Sequence, residues 1–250
     1  MSSLTYTKFE LLRVVRNRQS FFFTLAFPVI MYFLLAGPNK NDHNLGGDAT
    51  HPTGLFAPQY YMAGLLSFGA MVAVLSGGAR ISAERTVGWN RMLRLTPLSP
   101  RSYLRTKVLT GYLMAGISIG LLYIAGIVLG VRMPVGQWVQ LTALVLIALV
   151  PFAALGIGVG HLLHDDASGP AMGGAVSLFA FLGGTWFPIT GGGFAAFCKL
   201  IPSFWLVRAG YVGLGAGDPW SAEAWLVIGG WSVVTIMFAG WAYRRDTARA

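Results

Sequence analysis

Some residue groupings in this 250-residue chain carry types and spacings that could do chemistry. Gly116-Ile117-Ser118-Ile119-Gly120 has the Gly-x-Ser-x-Gly spacing that, on a sharp strand-to-helix turn, presents a serine hydroxyl as a nucleophile. His161-Leu162-Leu163-His164-Asp165-Asp166 sets two imidazoles three residues apart, on one face if helical, beside two carboxylates. Such a donor set could hold a divalent metal. Residues 80–107 hold Arg80, Arg85, Arg91, Arg94, Arg101, Arg105 and Lys107 against Glu84 alone, which suits an anionic or membrane-surface partner. No Gly-rich run leads into Lys8, Lys40, Lys107 or Lys199, so no Walker-type loop is present and this chain is not expected to hydrolyse ATP. The lone Cys198 excludes an intrachain disulfide and a Cys-based metal cluster.

The elements around these groupings decide between their readings. Of the residues, 55% are hydrophobic and 11% charged, with a net charge of +9, far from the quarter charged of a soluble domain. Six apolar stretches follow one another: 20–36, 60–79, 108–130, 138–160, 170–187 and 222–243. Each is long enough, at about 1.5 Å per helical residue, to cover or nearly cover a hydrocarbon core of about 30 Å. The expected fold is therefore all-α and integral to a membrane, a single domain with six transmembrane helices. Ser118 then lies inside an apolar helix, where Gly116 and Gly120 read as a GxxxG packing face, repeated at Gly126/Gly130 and Gly156/Gly160. His161 and His164 lie at a span end, where an interfacial cap is the expected role and no metal site is assigned.

Sorting the basic residues by flank gives an orientation. Residues 1–19, 80–107, 161–169 and 244–250 carry 14 of the 18 Lys and Arg, which predicts that both termini are cytoplasmic. The positive charge is thus mainly a topology signal, and nucleic acid is not an expected partner. No span carries the interior Asp, Glu or His that an ion-coupled carrier uses, so the energy for any uphill transport has to enter from another chain.

Segments outside the spans are also patterned. In residues 4–18, Leu4, Leu11 and Val15 fall on one stripe while Glu10, Arg13 and Arg16 face away, predicting a helix along the membrane surface. Trp89, Met92 and Leu93 have i, i+3, i+4 spacing and predict a short amphipathic helix over 86–95, stopped by Thr96-Pro97. Ser99-Pro100 restarts a helix that runs into the third span. Residues 188–221 are rich in apolar and aromatic residues but broken by Pro188, Gly191 to Gly193 and Pro202, which predicts a re-entrant helical hairpin dipping back from the outer face.

These pieces resemble the membrane subunit of an ABC-2 type ABC transporter. The most specific stretch is Glu84-Arg85-Thr86-Val87-Gly88-Trp89-Asn90-Arg91-Met92-Leu93-Arg94-Leu95-Thr96-Pro97-Leu98-Ser99, similar to the family's acid-Arg, Gly, Leu and Thr-Pro run before the third span. A second stretch, Gly183-Gly184-Thr185-Trp186-Phe187-Pro188 followed by Ile201-Pro202-Ser203-Phe204-Trp205-Leu206-Val207-Arg208, is similar to the Phe-Pro and Asn-Pro-aromatic segments around the family's hairpin, with Ile201 in place of the usual Asn.

The resemblance implies a permease of the bacterial plasma membrane that pairs with a second permease chain, identical or different, and with two ATP-binding subunits that supply ATP and Mg. Those subunits would grip the coupling helix (Glu84, Arg85, Thr86, Gly88, Trp89, Met92, Leu93, Arg94, Thr96, Pro97) and touch the surface helix. Phe187, Pro188, Pro202, Trp205 and Arg208 would belong to the hairpin. Tyr32, Ser67, Tyr112, Ser118, Ser177 and Trp186 are candidates to line a path for an amphiphilic drug, antibiotic or lipid-like solute moving outward, with a polysaccharide or lipid-linked glycan as the alternative cargo. An intramembrane enzyme using Ser118 or the His161/His164 pair is the rival class, and a membrane docking protein a further one.

Overall fold

The structure, a computed structural model, describes residues 7, 9–10, 12–13, 16–17, 21–43, 55–87, 100–187, 189, 191–216 and 219–247, with the backbone alone at 100, 101 and 165. Among them the architecture is all-helical, with one isolated bridge between His43 and Phe56. In chain order the helices are α1 (Phe22–Ala36), α2 (Ala57–Thr86), α3 (Pro100–Val128), α4 (Val135–Ala148), α5 (Val150–Leu162), α6 (Asp165–Leu182), α7 (Gly192–Lys199), α8 (Pro202–Gly213) and α9 (Ala222–Thr247). Four rods are long and apolar enough to cross a membrane: α2, α3 from Ser102, the joined α4–α5 from Val135 to Leu162, and α9. The remaining apolar stretches form the shorter α1 and the α6 helix, which opens on Asp165 and Asp166.

Two prolines shape these helices. Pro151 has no N–H for the carbonyl of Ile147, and the α4–α5 rod breaks at Leu149, where Phe152 and Ala153 hydrogen-bond back to the Leu149 carbonyl. Pro28 likewise leaves the carbonyl of Thr24 without its helical donor, and the preceding turn, Phe22–Ala26, widens into a π-helix. A lone carbonyl in an apolar bundle costs free energy unless another group reaches it. Ser118 of α3 does, its Oγ donating to Thr24 O at 3.1 Å.

Helix α2 is the centre of the bundle, packing against α1, α3, α5, α6 and α8, and its residues from Met62 to Leu75 are buried on nearly every side. Small residues let the backbones close in. A Cβ at Gly78 would stand 2.0 Å from the Gly156 carbonyl, and one at Gly160 would stand 2.3 Å from that of Gly78, so α2 and α5 cross with glycine on both sides. The expected packing role holds for Gly156/Gly160. At Gly116/Gly120 a Cβ would meet nothing within 4 Å, so that face of α3 packs against no described helix of this chain. At Gly126 a Cβ would meet the Met62 sulfur at 2.6 Å, while Gly130 ends the helix at φ +93°.

Helices α7 and α8 occupy residues 188–221. Ser67 of α2 donates to the carbonyl of Leu206 at 3.1 Å, and a Cβ at Gly210 would meet Ala63 at 2.8 Å. At its start α8 also meets the end of α6, where a Cβ at Gly183 would lie 2.8 Å from Ser203 O. Leu206 of α8 therefore lies about ten residues, or roughly 15 Å at the helical rise, along α2 from its Ala57 end.

Candidate functional site

Of the charged residues that a hydropathy reading leaves in a loop, Arg80, Glu84, Arg85 and Lys107 are helical and turned inward, whereas Arg105 is exposed. Helix α2 continues past position 79 to Thr86, and α3 begins at Pro100, so Arg80, Glu84 and Arg85 share one helix while Arg101, Arg105 and Lys107 start another. These two helix ends lie side by side. Lys107 Nζ is 2.5 Å from both Glu84 Oε1 and Glu10 Oε1, and none of the three side chains is more than 3% exposed. Tyr103, one turn earlier on α3, donates to Glu84 Oε2 at 2.7 Å, and Arg13 reaches Glu84 Oε1 at 2.8 Å. Arg80 completes the group, its Nε 3.9 Å from Glu10 and its Nη1 donating to Ser76 at 3.1 Å.

Two carboxylates facing one ammonium in a nearly dry setting would be costly without further donors; Arg13 and Tyr103 supply them to Glu84, and the Arg80 guanidinium adds positive charge beside Glu10. The group joins three stretches of chain: the N-terminal segment through Glu10 and Arg13, α2 through Arg80 and Glu84, and α3 through Tyr103 and Lys107. Thr7 and Thr106, whose hydroxyls are 3.3 Å apart, add a contact between the first and last of these.

The N-terminal segment is helical at each of Thr7, Phe9, Glu10, Leu12, Arg13 and Arg16, and Arg13 and Arg16 face outward as expected, but Glu10 does not. Glu10, expected to face away, is buried in the ion group, whereas Phe9 and Leu12 are exposed. Hydrophobic patterning alone places a charge outward; here a buried lysine pulls it in. Leu4, Leu11 and Val15 lie outside the described residues.

Arg85 turns to another side of α2. Its Nη2 lies 2.8 Å from Asp246 Oδ1 of α9, and its Nη1 donates to the carbonyls of Leu163 at 3.0 Å and Gly160 at 3.3 Å. These carbonyls close the C-terminal end of α5, where the helix dipole favours a cation. Asp246 Oδ2 in turn meets His161 Nδ1 at 2.9 Å.

Glu84 and Arg85 thus pair within the chain and brace the start of the predicted coupling segment from inside. Thr86 is exposed and folds its hydroxyl back onto Ala83 O, and Val87 is 70% exposed where α2 ends. Gly88, Trp89, Met92, Leu93, Arg94, Thr96 and Pro97 lie outside the described residues.

The other sequence candidates are placed as follows. Ser118 is buried and donates to Thr24 O, Ser67 donates to Ala63 O and Leu206 O, and Tyr32 donates to Pro58 O at 3.1 Å. All three join helices to one another. Tyr112 is half-buried and donates to Leu146 O, next to the Pro151 bend; Trp186 packs among Phe27 and Phe68. Ser177 is exposed on α6.

At the hairpin, Trp205 is buried and donates to Lys199 O, Pro202 opens α8, Arg208 is half-buried and Phe187 is exposed; Pro188 lies outside the described residues. His161 is committed to Asp246, while His164 only flanks the start of α6 and Asp166 is exposed. Among the described residues no three His, Cys, Asp or Glu side chains gather as metal ligands. Glu10, Tyr103, Lys107 and Asp246 carry the two ion groups although no local spacing marks them.

Comparison with known proteins agrees with this architecture. Residues 50–242 match the model of the ABC-2 family transporter protein. A Bacillus subtilis (strain 168) protein described as a transport permease, YvfS, is 24% identical over 181 residues, covering 72% of this chain and 71% of that one. No solved structure gives a significant match. With a family match across most of its length and several apolar helices long enough to cross a bilayer, this multi-pass membrane chain belongs to the ABC-2 family of transport permeases, which act with an ABC ATP-binding subunit.

Proposed function

We propose that this chain is the membrane subunit of an ATP-driven exporter, with ATP and Mg bound by a separate ATP-binding chain. Two permease chains and two ATP-binding subunits would form the working unit in a bacterial plasma membrane. The arrangement has six spans, formed by α1, α2, α3, α4–α5, α6 and α9, with both termini cytoplasmic. Helices α7 and α8 form a re-entrant hairpin at the outer face, a reading supported by the contact of Leu206 with Ser67 well inside the length of α2.

The observation that carries the proposal is the ion group of Glu10, Glu84 and Lys107. It ties the N-terminal segment and the ends of α2 and α3 to one another, and residues 86–95, which follow in sequence, would dock on the ATP-binding subunit. Closure of the ATP-binding pair would push on these joined ends, and the buried pairs carry the push into the bundle. An amphiphilic drug, antibiotic or lipid-like solute fits the apolar outer faces of α3 and α9 and the exposed Ser177 on α6. A solute of this kind can enter from the bilayer and leave between two permease chains.

A P-loop ATPase encoded beside this chain is the expected partner. Co-expression should give a complex whose ATP hydrolysis changes with the permease present and which moves a fluorescent amphiphile out of inverted vesicles' medium into their lumen in an ATP-dependent way. A purified complex that hydrolyses ATP at the rate of the ATPase alone, and moves none of a panel of amphiphiles, would refute the reading.

A further inference from the structure

Three helix ends converge on Arg85. It lies in the last turn of α2, its guanidinium bonds the closing carbonyls Gly160 and Leu163 of α5, and it pairs at 2.8 Å with Asp246 in the last turn of α9. Asp246 uses its other oxygen on His161 of α5 at 2.9 Å, and His161 packs edge-on against Tyr243 of α9. Ser82, one turn before Arg85, also donates to Leu163 O at 2.9 Å. The group is well shielded, with side-chain exposures of 24% for Arg85, 14% for Asp246 and 1% for His161.

At the level of the tie α5 has little support from α6. Between α2, α5 and α6 lies an apolar cavity of about 280 Å³, lined by Leu75, Leu155, Val159, Leu162 and Met172 among others. Helix α5 therefore leans on α2, through Gly78, Gly156 and Gly160, and on α9, and not on its sequence neighbour α6 at this level. Helix α9 for its part exposes most of its surface and packs chiefly on α5. Consecutive helical residues diverge by about 100°. Glu84 thus holds α3 and the N-terminal segment, and Arg85 holds α5 and α9, so the end of α2 is keyed on two sides.

We infer that Asp246, with His161, is a positioning residue for energy coupling: it fixes α5 and α9 to the end of α2 so that movement of the segment beginning at Thr86 carries both helices with it. The inference rests on the docking role proposed for residues 86–95. In this role Asp246 would act through Arg85, with which it pairs, and not by touching the partner or the solute.

The test uses the whole permease assembled with its ATP-binding partner and follows two readouts: retention of the partner, and the permease-dependent change in its rate of ATP hydrolysis. Asp246→Ala should retain the partner as the unchanged chain does, yet bring the hydrolysis rate to that of the partner alone. Asp246→Glu, which keeps the charge, should restore the change. An Asp246→Ala complex with the full permease-dependent change overturns the inference, and so does one that releases the partner, since Asp246 would then be a docking or folding residue.

If Asp246→Ala accumulates poorly, a chain with Cys198→Ala, Arg85→Cys and Asp246→Cys joined by a reducible thiol cross-linker replaces it. Coupling should be present when joined and lost on reduction; equal rates in both states again overturn the inference. Retention of the partner by a Trp89/Met92/Leu93 triple-alanine chain is read separately and bears on the docking role alone.

Discussion

Lys107 and Glu84 stand 23 positions apart in the chain and 2.5 Å apart in space, both closed off from solvent. The basic segment between them therefore begins and ends on a single buried ion pair. A buried pair adds little stability relative to a well-packed apolar pair, but removing one partner strands the other's charge. Here the lysine serves two carboxylates, so it is the member whose loss strands most.

Lys107→Met should destabilise the folded chain by about 3–5 kcal/mol, because Glu10 and Glu84 would face each other without their shared cation. Glu10→Gln should cost less, since Lys107 keeps Glu84. Thermal unfolding of the detergent-solubilised chain checks the order; equal midpoints for the two variants would contradict the geometry.

Ser118→Ala should leave transport intact and lower stability by about 1–3 kcal/mol, because the Thr24 carbonyl freed by Pro28 loses its donor inside the bundle. Replacing Pro28 by Ala in the same chain should recover part of that loss, since a helical N–H returns to the carbonyl. An enzyme using Ser118 as nucleophile would instead lose its activity on Ser118→Ala whatever stands at position 28.

The two glycine pairs give a contrast within one protein. Gly156→Leu or Gly160→Leu should block folding, as even a Cβ meets the α2 backbone, 3.1 Å from Leu75 O at Gly156 and 2.3 Å from Gly78 O at Gly160. Gly116→Ala should be tolerated or stabilise by up to about 1 kcal/mol by the helix propensity of alanine. Yield and monodispersity after extraction from the membrane separate the two outcomes.

Helices were legible because their causes are local: apolar runs of bilayer length and Pro100 opening α3; the break at Pro151 inside the 138–160 stretch was not expected. The end of α2 was less legible. A hydropathy reading stops at Arg80, since a charge is assumed to seek water, yet Arg80, Glu84 and Arg85 continue the helix by finding partners in other segments. Glu10 with Lys107 and Arg85 with Asp246 are separated by about a hundred residues or more, and no periodicity links positions so far apart. The GxxxG spacing shows the same limit: identical on paper, it packs at 156/160 and meets no described helix at 116/120.

The hairpin reading makes a labelling prediction. In a chain with Cys198→Ala, a cysteine at Phe197, which is exposed on α7, should resist a membrane-impermeant maleimide in intact cells yet react with a permeant one. A cysteine at Arg132, in the turn between α3 and α4, should react with both from outside. Rapid impermeant labelling at 197 would place α7 in water and remove the re-entrant arrangement.

If residues 86–95 dock the partner, substitutions there should release it. Helix α2 ends next to Val87, which is 70% exposed, within a turn of the buried Glu84. Trp89, Met92 and Leu93 are spaced to share one helical face there, and aromatic anchors dominate protein interfaces. Trp89→Ala should weaken binding of the ATP-binding subunit by about 2 kcal/mol or more, roughly thirtyfold or greater. Neutralising Arg91 and Arg94 should act differently: exposed charges steer encounter, so the loss should fall mainly on the association rate and fade at high salt. Titration of the solubilised permease with the purified ATP-binding subunit at two ionic strengths measures both. An unchanged affinity for Trp89→Ala at either salt would move the docking site away from this segment, because the faces of α2 and α3 below it are already taken up by Glu10, Glu84 and Lys107.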